Sequence, residues 1–311
     1  MASRIPHLLE PYLTLPHEAG LVVLTSVLGA STNWLLLRHL YSLLKLSSSP
    51  TSKPAPHAGA PEESKSTEQE QQEEDVAVLL ISFLRDFAFW RENAARLGLD
   101  LQAAARRGRF AYVDGLSSLF FPTPAQGPGQ QQQQQRVVEG WKRVLTSPVP
   151  GDMGRVILES VEQLEKGKGS TGAADGTLDG GNGKNVVLVI DGLDFVLAAS
   201  NPAAGTAMAL REMLMDLRER THAAIVTLAA DHPLIKEQET TLEKQHAWFA
   251  LNLAHEADTV LSLRLLDTGA AKDVSGVIRI TGGGGMSHTD GHEYLYHVGG
   301  DGGVRVFERG Q

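Results

Sequence analysis

Unbroken apolar runs, more than alternating ones, dominate the first three quarters of the chain. Leu21 to Ser26 (LVVLTS), Val76 to Ser82 (VAVLLIS), Val186 to Ile190 (VVLVI) and Ala223 to Leu228 (AAIVTL) are short and almost wholly apolar. Such runs predict strands buried on both faces. Phe110 to Val113, ending at Asp114, predicts a shorter one. Between the runs the period lengthens. Leu36, Leu40, Leu43 and Leu44 recur at helical spacing along Asn33 to Leu46. Helices are also predicted over Phe83 to Leu97 (with Gly98 as its stop), Met153 to Leu164 and Thr206 to Arg218. Strands alternating with helices imply a mostly parallel sheet with helices on both faces. From Thr259 onward the pattern changes. Thr259 to Leu266, Gly276 to Thr281, Tyr294 to Val298 and Gly303 to Phe307 predict short strands with no helix between them, so an antiparallel extension closes the sheet. Repeats of helix and strand followed by hairpins form the layout of a RecA-like, P-loop-ATPase-type α/β fold, here one domain over 1–311.

Three polar, low-complexity stretches interrupt that pattern: 47–75, 122–135 and 167–184. Their composition predicts disordered insertions, and 282–291 predicts a Gly-rich hairpin loop. The formal net charge is −9, from 28 basic and 37 acidic residues. The 47–75 stretch alone holds seven acids against Lys53 and Lys65, so the rest of the chain is closer to neutral. Bulk charge therefore disfavours nucleic-acid binding by the lone chain but leaves room for a local basic patch. The absence of cysteine rules out disulfide scaffolds, Cys-ligated zinc, iron–sulfur clusters and thiol nucleophiles. Pro6, Glu10, Pro11 and Pro16 do not fit a signal peptide, and Leu21 to Leu37 is broken by five polar residues. The expected location is cytoplasmic, with the nucleus as a second site, and no membrane contact.

A RecA-like ATPase needs a phosphate loop after its first strand: glycines to expose backbone N–H groups, a lysine for charge, and a hydroxyl for Mg²⁺. The matching loop is Ser26-Val27-Leu28-Gly29-Ala30-Ser31-Thr32. With Gly29 as the second glycine, Leu24 stands at the first, Ala30 at the lysine and Ser31 at the metal hydroxyl. The plain alternative is an ordinary strand–helix turn capped by Ser31 and Thr32. Gly167-Lys168 and Gly183-Lys184 lack the other glycine and the strand–helix setting. Asp191 closes its strand as a Walker B aspartate does, and a simple Asp-Gly turn is the alternative. Gly29, Ser31, Thr32 and Asp191 are thus the candidates for a vestigial nucleotide site. His288, His292 and His297 cluster in sequence but read as surface histidines, with no metal site expected. Arg106, Arg107 and Arg109 form the most compact basic cluster and are the candidates for RNA contact, against a solvated helix end.

Several segments carry a family resemblance. They are Leu24-Thr25-Ser26-Val27-Leu28-Gly29-Ala30-Ser31-Thr32-Asn33-Trp34, Ser82-Phe83-Leu84-Arg85-Asp86 with Phe89-Trp90, and Arg109 to Leu116 (RFAYVDGL). Leu263-Arg264-Leu265-Leu266-Asp267-Thr268-Gly269 with Asp273-Val274-Ser275-Gly276, and the tail Val304 to Gly310, complete the set. In this order they resemble the sixth-subunit family of the Elongator complex, in a fungal-looking form with long insertions. The resemblance implies a RecA-like fold with degenerate Walker motifs. It implies a hexameric ring built with the related subunits four and five, two copies of each, joined to the catalytic Elongator core. That ring binds tRNA, supports wobble-uridine modification, and hydrolyses ATP only as a ring. On this view the chain is not itself an enzyme, has no catalytic residues and holds no cofactor of its own. Arg264, on a strand of the C-terminal sheet, is the candidate for a contact in trans with a neighbouring subunit, against a charge pair with Asp267 or Asp273. Two other functions stay open: a stand-alone degenerate P-loop NTPase or kinase, and a protein–protein adaptor without RNA contact.

Overall fold

The computed structural model describes residues 4–46, 75–120, 140–166, 184–200, 205–266, 271, 273–284 and 291–309. The predicted insertions lie outside these residues except for Asp75 and Lys184, as does the middle of the Gly-rich 282–291 loop.

Among the described residues ten strands form one sheet: β1 (Gly20–Ser26), β2 (Val76–Ser82), β3 (Phe110–Asp114), β4 (Lys142–Val144), β5 (Asn185–Asp191), β6 (Ala223–Ala229), β7 (Thr259–Arg264), β8 (Gly276–Gly282), β9 (His292–Val298) and β10 (Val304–Phe307). Their order is β10-β9-β8-β7-β1-β6-β5-β2-β3-β4. From β4 to β7 every pairing is parallel, and β8, β9 and β10 add on antiparallel. The continuous apolar runs have the predicted cause, because each inner strand feeds two cores. Val22, Leu24, Val78, Leu80, Val187 and Val189 face one core, which is covered by α1 (Asn33–Leu46), α2 (Phe87–Arg96), α3 (Leu101–Arg106) and the 3₁₀ turn His7–Tyr12. Leu21, Val23, Leu79, Ile81, Leu188 and Ile190 face the other. That core is covered by α5 (Pro150–Glu165), α6 (Phe195–Ala199), α7 (Thr206–Glu219) and α8 (Thr241–Glu256), while the short α4 (Ser117–Phe120) follows β3.

Several boundaries differ from the sequence expectation; α5 opens at Pro150 and β9 at His292, each earlier than the pattern predicts. The helix predicted from Phe83 begins at Phe87, because the Asp86 carboxylate accepts the Phe89 N–H (2.9 Å) and so caps the helix there. β7 ends at Arg264, two residues early. The helix that follows Pro233 in the sequence, α8, has its start fixed by a capping box: the Thr240 hydroxyl accepts the Glu243 N–H, and the Glu243 carboxylate accepts the Thr240 N–H.

Candidate functional site at the carboxyl edge of the sheet

Parallel strands send the loops after β1, β2, β5, β6 and β7 out along one edge. In open α/β sheets ligands bind at this carboxyl edge. The β1 loop turns at Gly29, whose φ of +90° a side chain would strain. It is tied down at both sides. The Val27 N–H donates to the Leu263 carbonyl (3.3 Å) and the Leu28 N–H donates to the Asp231 carboxylate (2.7 Å). In a phosphate loop such N–H groups turn toward the ligand. Here one of them is committed to an anion that the chain itself supplies from the end of β6. Ala30, at the lysine position, is buried. The Ser31 hydroxyl accepts the Asn33 N–H (3.2 Å), and the buried Thr32 places its carbonyl as acceptor for Leu35 and Leu36 (3.0 Å each). Both act as helix-entry caps of α1.

Asp191 is fully buried at the end of β5. One carboxylate oxygen accepts the Ser82 hydroxyl (2.8 Å) and the other accepts the Thr227 hydroxyl (3.3 Å), which itself accepts the Gly192 N–H (2.8 Å). The carboxylate therefore clamps the ends of β2, β5 and β6. Burial outweighs these two hydroxyl donors and pushes its pKa up to about 6. Asp194 does not use its side chain to cap α6. It reaches across to accept the Ala229 N–H (3.1 Å) and lies 3.8 Å from the His246 ring, and burial raises its pKa as well.

The rim of this edge is apolar. Leu28, 86% exposed, stands at the loop tip. Leu265 packs over Gly29, and Leu84 packs over Gly192, where a Cβ would come within 2.5 Å of it. Phe195 adds a further exposed ring just beyond Gly192. Arg264 ends β7 beside β1 and pairs with Glu293 (3.3 Å), which Arg309 also engages (3.0 Å). Asp267, a partner expected from the sequence, lies outside the described residues.

The structure thus brings Gly29, Ser31, Thr32, Asp191 and Arg264 to one edge, with β5 and β1 separated by β6, or roughly 10 Å. Arg106, Arg107 and Arg109 lie elsewhere, at the end of α3 and the entry to β3, on the opposite edge. Arg109 is a structural tie whose guanidinium donates to the Val76 carbonyl (3.1 Å) beside Asp75. Arg106 and Arg107 are exposed, the former 4.0 Å from Asp100. Sequence reasoning missed Asp231, Ser82 and Thr227 as working members of the site. Asp231-His232 after a strand was visible but carries an ordinary turn pattern, and no local signal links Ser82 to a residue 109 positions later.

A ten-stranded sheet of this order, with a glycine turn after the central strand and an aspartate two strands away, defines the class. The chain is similar across its whole length to a KaiC-like protein of the hyperthermophilic archaeon Pyrococcus horikoshii OT3. The match covers 99% of this chain and 98% of that one, at 14% identity and a TM-score of 0.53, and the fold is RecA-like. No curated protein matches it by sequence. The family model for Elongation complex protein 6 matches residues 73–298, and the chain belongs to that family. It is a RecA-like Elongator subunit. Among the described residues no helix is long and apolar enough to cross a membrane.

Proposed function

We propose that the chain is a non-catalytic ring subunit. It assembles with two related RecA-like Elongator subunits into a hexamer of two copies each, which binds tRNA and supports wobble-uridine modification by the catalytic core. The observation that carries this reading is the carboxyl edge. Its loop N–H is closed on Asp231, its lysine position is a buried alanine, and its tip presents Leu28 to solvent. An edge so built favours a protein surface over a nucleotide phosphate. ATP turnover then belongs to the ring, and Arg264 with its Glu293 partner is the contact offered to the neighbouring subunit. RNA contact through Arg106 and Arg107 uses the far edge, so subunit contact and RNA contact do not compete for one surface.

Native mass spectrometry of the chain mixed with the two related subunits tests the assembly. The expected species is a six-chain complex with two copies of each. A chain that stays monomeric in the mixture overturns the reading. Salt-dependent tRNA binding by the assembled ring separates this function from that of a protein adaptor, since phosphate contacts weaken as salt rises.

A further inference from the structure

A cavity of about 300 Å³ lies behind the β1 loop, between α1, α2 and the C-terminal hairpins. Among the described residues, two α1 side chains in its wall have donors without acceptors. Arg38, 2% exposed, donates one guanidinium N–H to the Gly302 carbonyl (3.0 Å), and its Nε has no partner. The indole Nε1 of Trp34, 7% exposed, has none either. Among the described residues no carboxylate pairs with Arg38, and no acid lines the cavity. The exposed Arg96 adds a second cation at the rim. An unpaired buried guanidinium is costly. Water would satisfy the orphan N–H groups but would leave the charge uncompensated, whereas an anion would do both. The remaining walls are apolar and aromatic: Trp34 and Tyr296 lie with ring centroids 5.1 Å apart, and Phe89 closes the side. The volume is that of a small-molecule pocket and exceeds what one acidic side-chain tip fills.

We propose that this cavity is a binding site for a small organic anion, with its phosphate or carboxylate group on Arg38 and Trp34 Nε1 and a planar apolar portion against Trp34 and Tyr296. The cavity shares Gly29 and Ser31 with the loop whose Leu28 N–H is held by Asp231. Its occupant offsets the charge buried on α1 and thereby links ligand binding to the packing of α1 against the hairpins.

The test uses the full chain in low-salt buffer with phenyl phosphate, benzoate and neutral phenol as probes, read by thermal melting and calorimetry. The two anions are expected to raise the melting temperature and phenol is not, and the tighter of the two identifies the head group. Arg38→Met is expected to melt at or above wild type without a probe, because it removes an unpaired buried charge, and to weaken anion binding about tenfold or more. Trp34→Phe, which keeps the ring and loses the donor, is expected to weaken binding less while leaving the fold intact. A wild-type chain that neither anion stabilises overturns the proposal. So does Arg38→Met protein that melts well below wild type or fails to fold, since the guanidinium would then be a structural prop, and so does equal binding by the variants.

Discussion

Asp191 at the carboxyl edge and the polar side chains on α1 are equally deep in the protein, and the two regions treat their polar groups in opposite ways. Asp191 and Asp194 are buried, and each accepts donors from neighbouring strands. Asp231, less buried, holds the Leu28 N–H. Among the described residues, Arg38 on α1 has one acceptor, and His39 is fully buried with neither ring nitrogen partnered. Burial alone pushes the His39 pKa down to about 3, so its ring is neutral. The edge has closed its polar groups on the protein itself, as suits a surface that meets another protein. The helix has left its groups open.

The largest test of this contrast is a change of pH at Asp191. Its pKa is raised from 3.8 to about 6, so its protonated form favours the folded state. That contribution is fully present below the unfolded carboxylate range and is lost as pH climbs through 6. Asp191→Asn removes the loss. Relative to wild type, the variant should gain ~3 kcal/mol of stability between pH 4 and pH 7, measured by urea unfolding at each pH. Parallel profiles for the two proteins would show that the clamp holds an ionised carboxylate without penalty.

Next in size is Ala30→Lys, which restores the missing cation. Ala30 is buried in the core beneath the loop, so the longer side chain should cost about 1–3 kcal/mol. It should give no nucleotide binding by calorimetry, because the Leu28 N–H stays on Asp231. A stable variant that bound a nucleoside triphosphate would show that the loop lacks only a charge. Asp231→Ala breaks the closure directly and should cost about 1–2 kcal/mol, with faster amide exchange at Leu28. The smallest effect is expected at His39→Leu. Removing two unpaired buried nitrogens at similar volume should raise stability by about 1 kcal/mol, and a lower melting temperature would mean that the ring has a partner in solution.

The parallel half of the fold was legible because inner strands that feed two cores must be apolar at every position, as VAVLLIS and VVLVI are. The bounds of α8 were less so, because its apolar residues are weakly periodic and its start is marked only by the capping box of Thr240 with Glu243. At the site, Gly29 and Asp191 could be placed at strand ends from sequence. Their actual partners, Asp231, Ser82 and Thr227, come from strands distant in the chain, and only the register of the sheet joins them. Arg38 and His39 sit among leucines in a helix that is apolar on nearly all sides. Such a helix is buried all round, so the polarity of these two residues does not mark a solvated face.

The place of β1 in the sheet also governs how the chain can be made. Its two neighbours are β6 and β7, so Gly20 must wait for Ala223 and Val22 for Thr259. At ~5–20 residues per second on the ribosome, a gap of about 200 residues is roughly 10–40 s. For that time this largely apolar strand emerges without its sheet neighbours. The centre of the sheet is therefore completed late, and chaperone capture of the nascent chain is expected at β1.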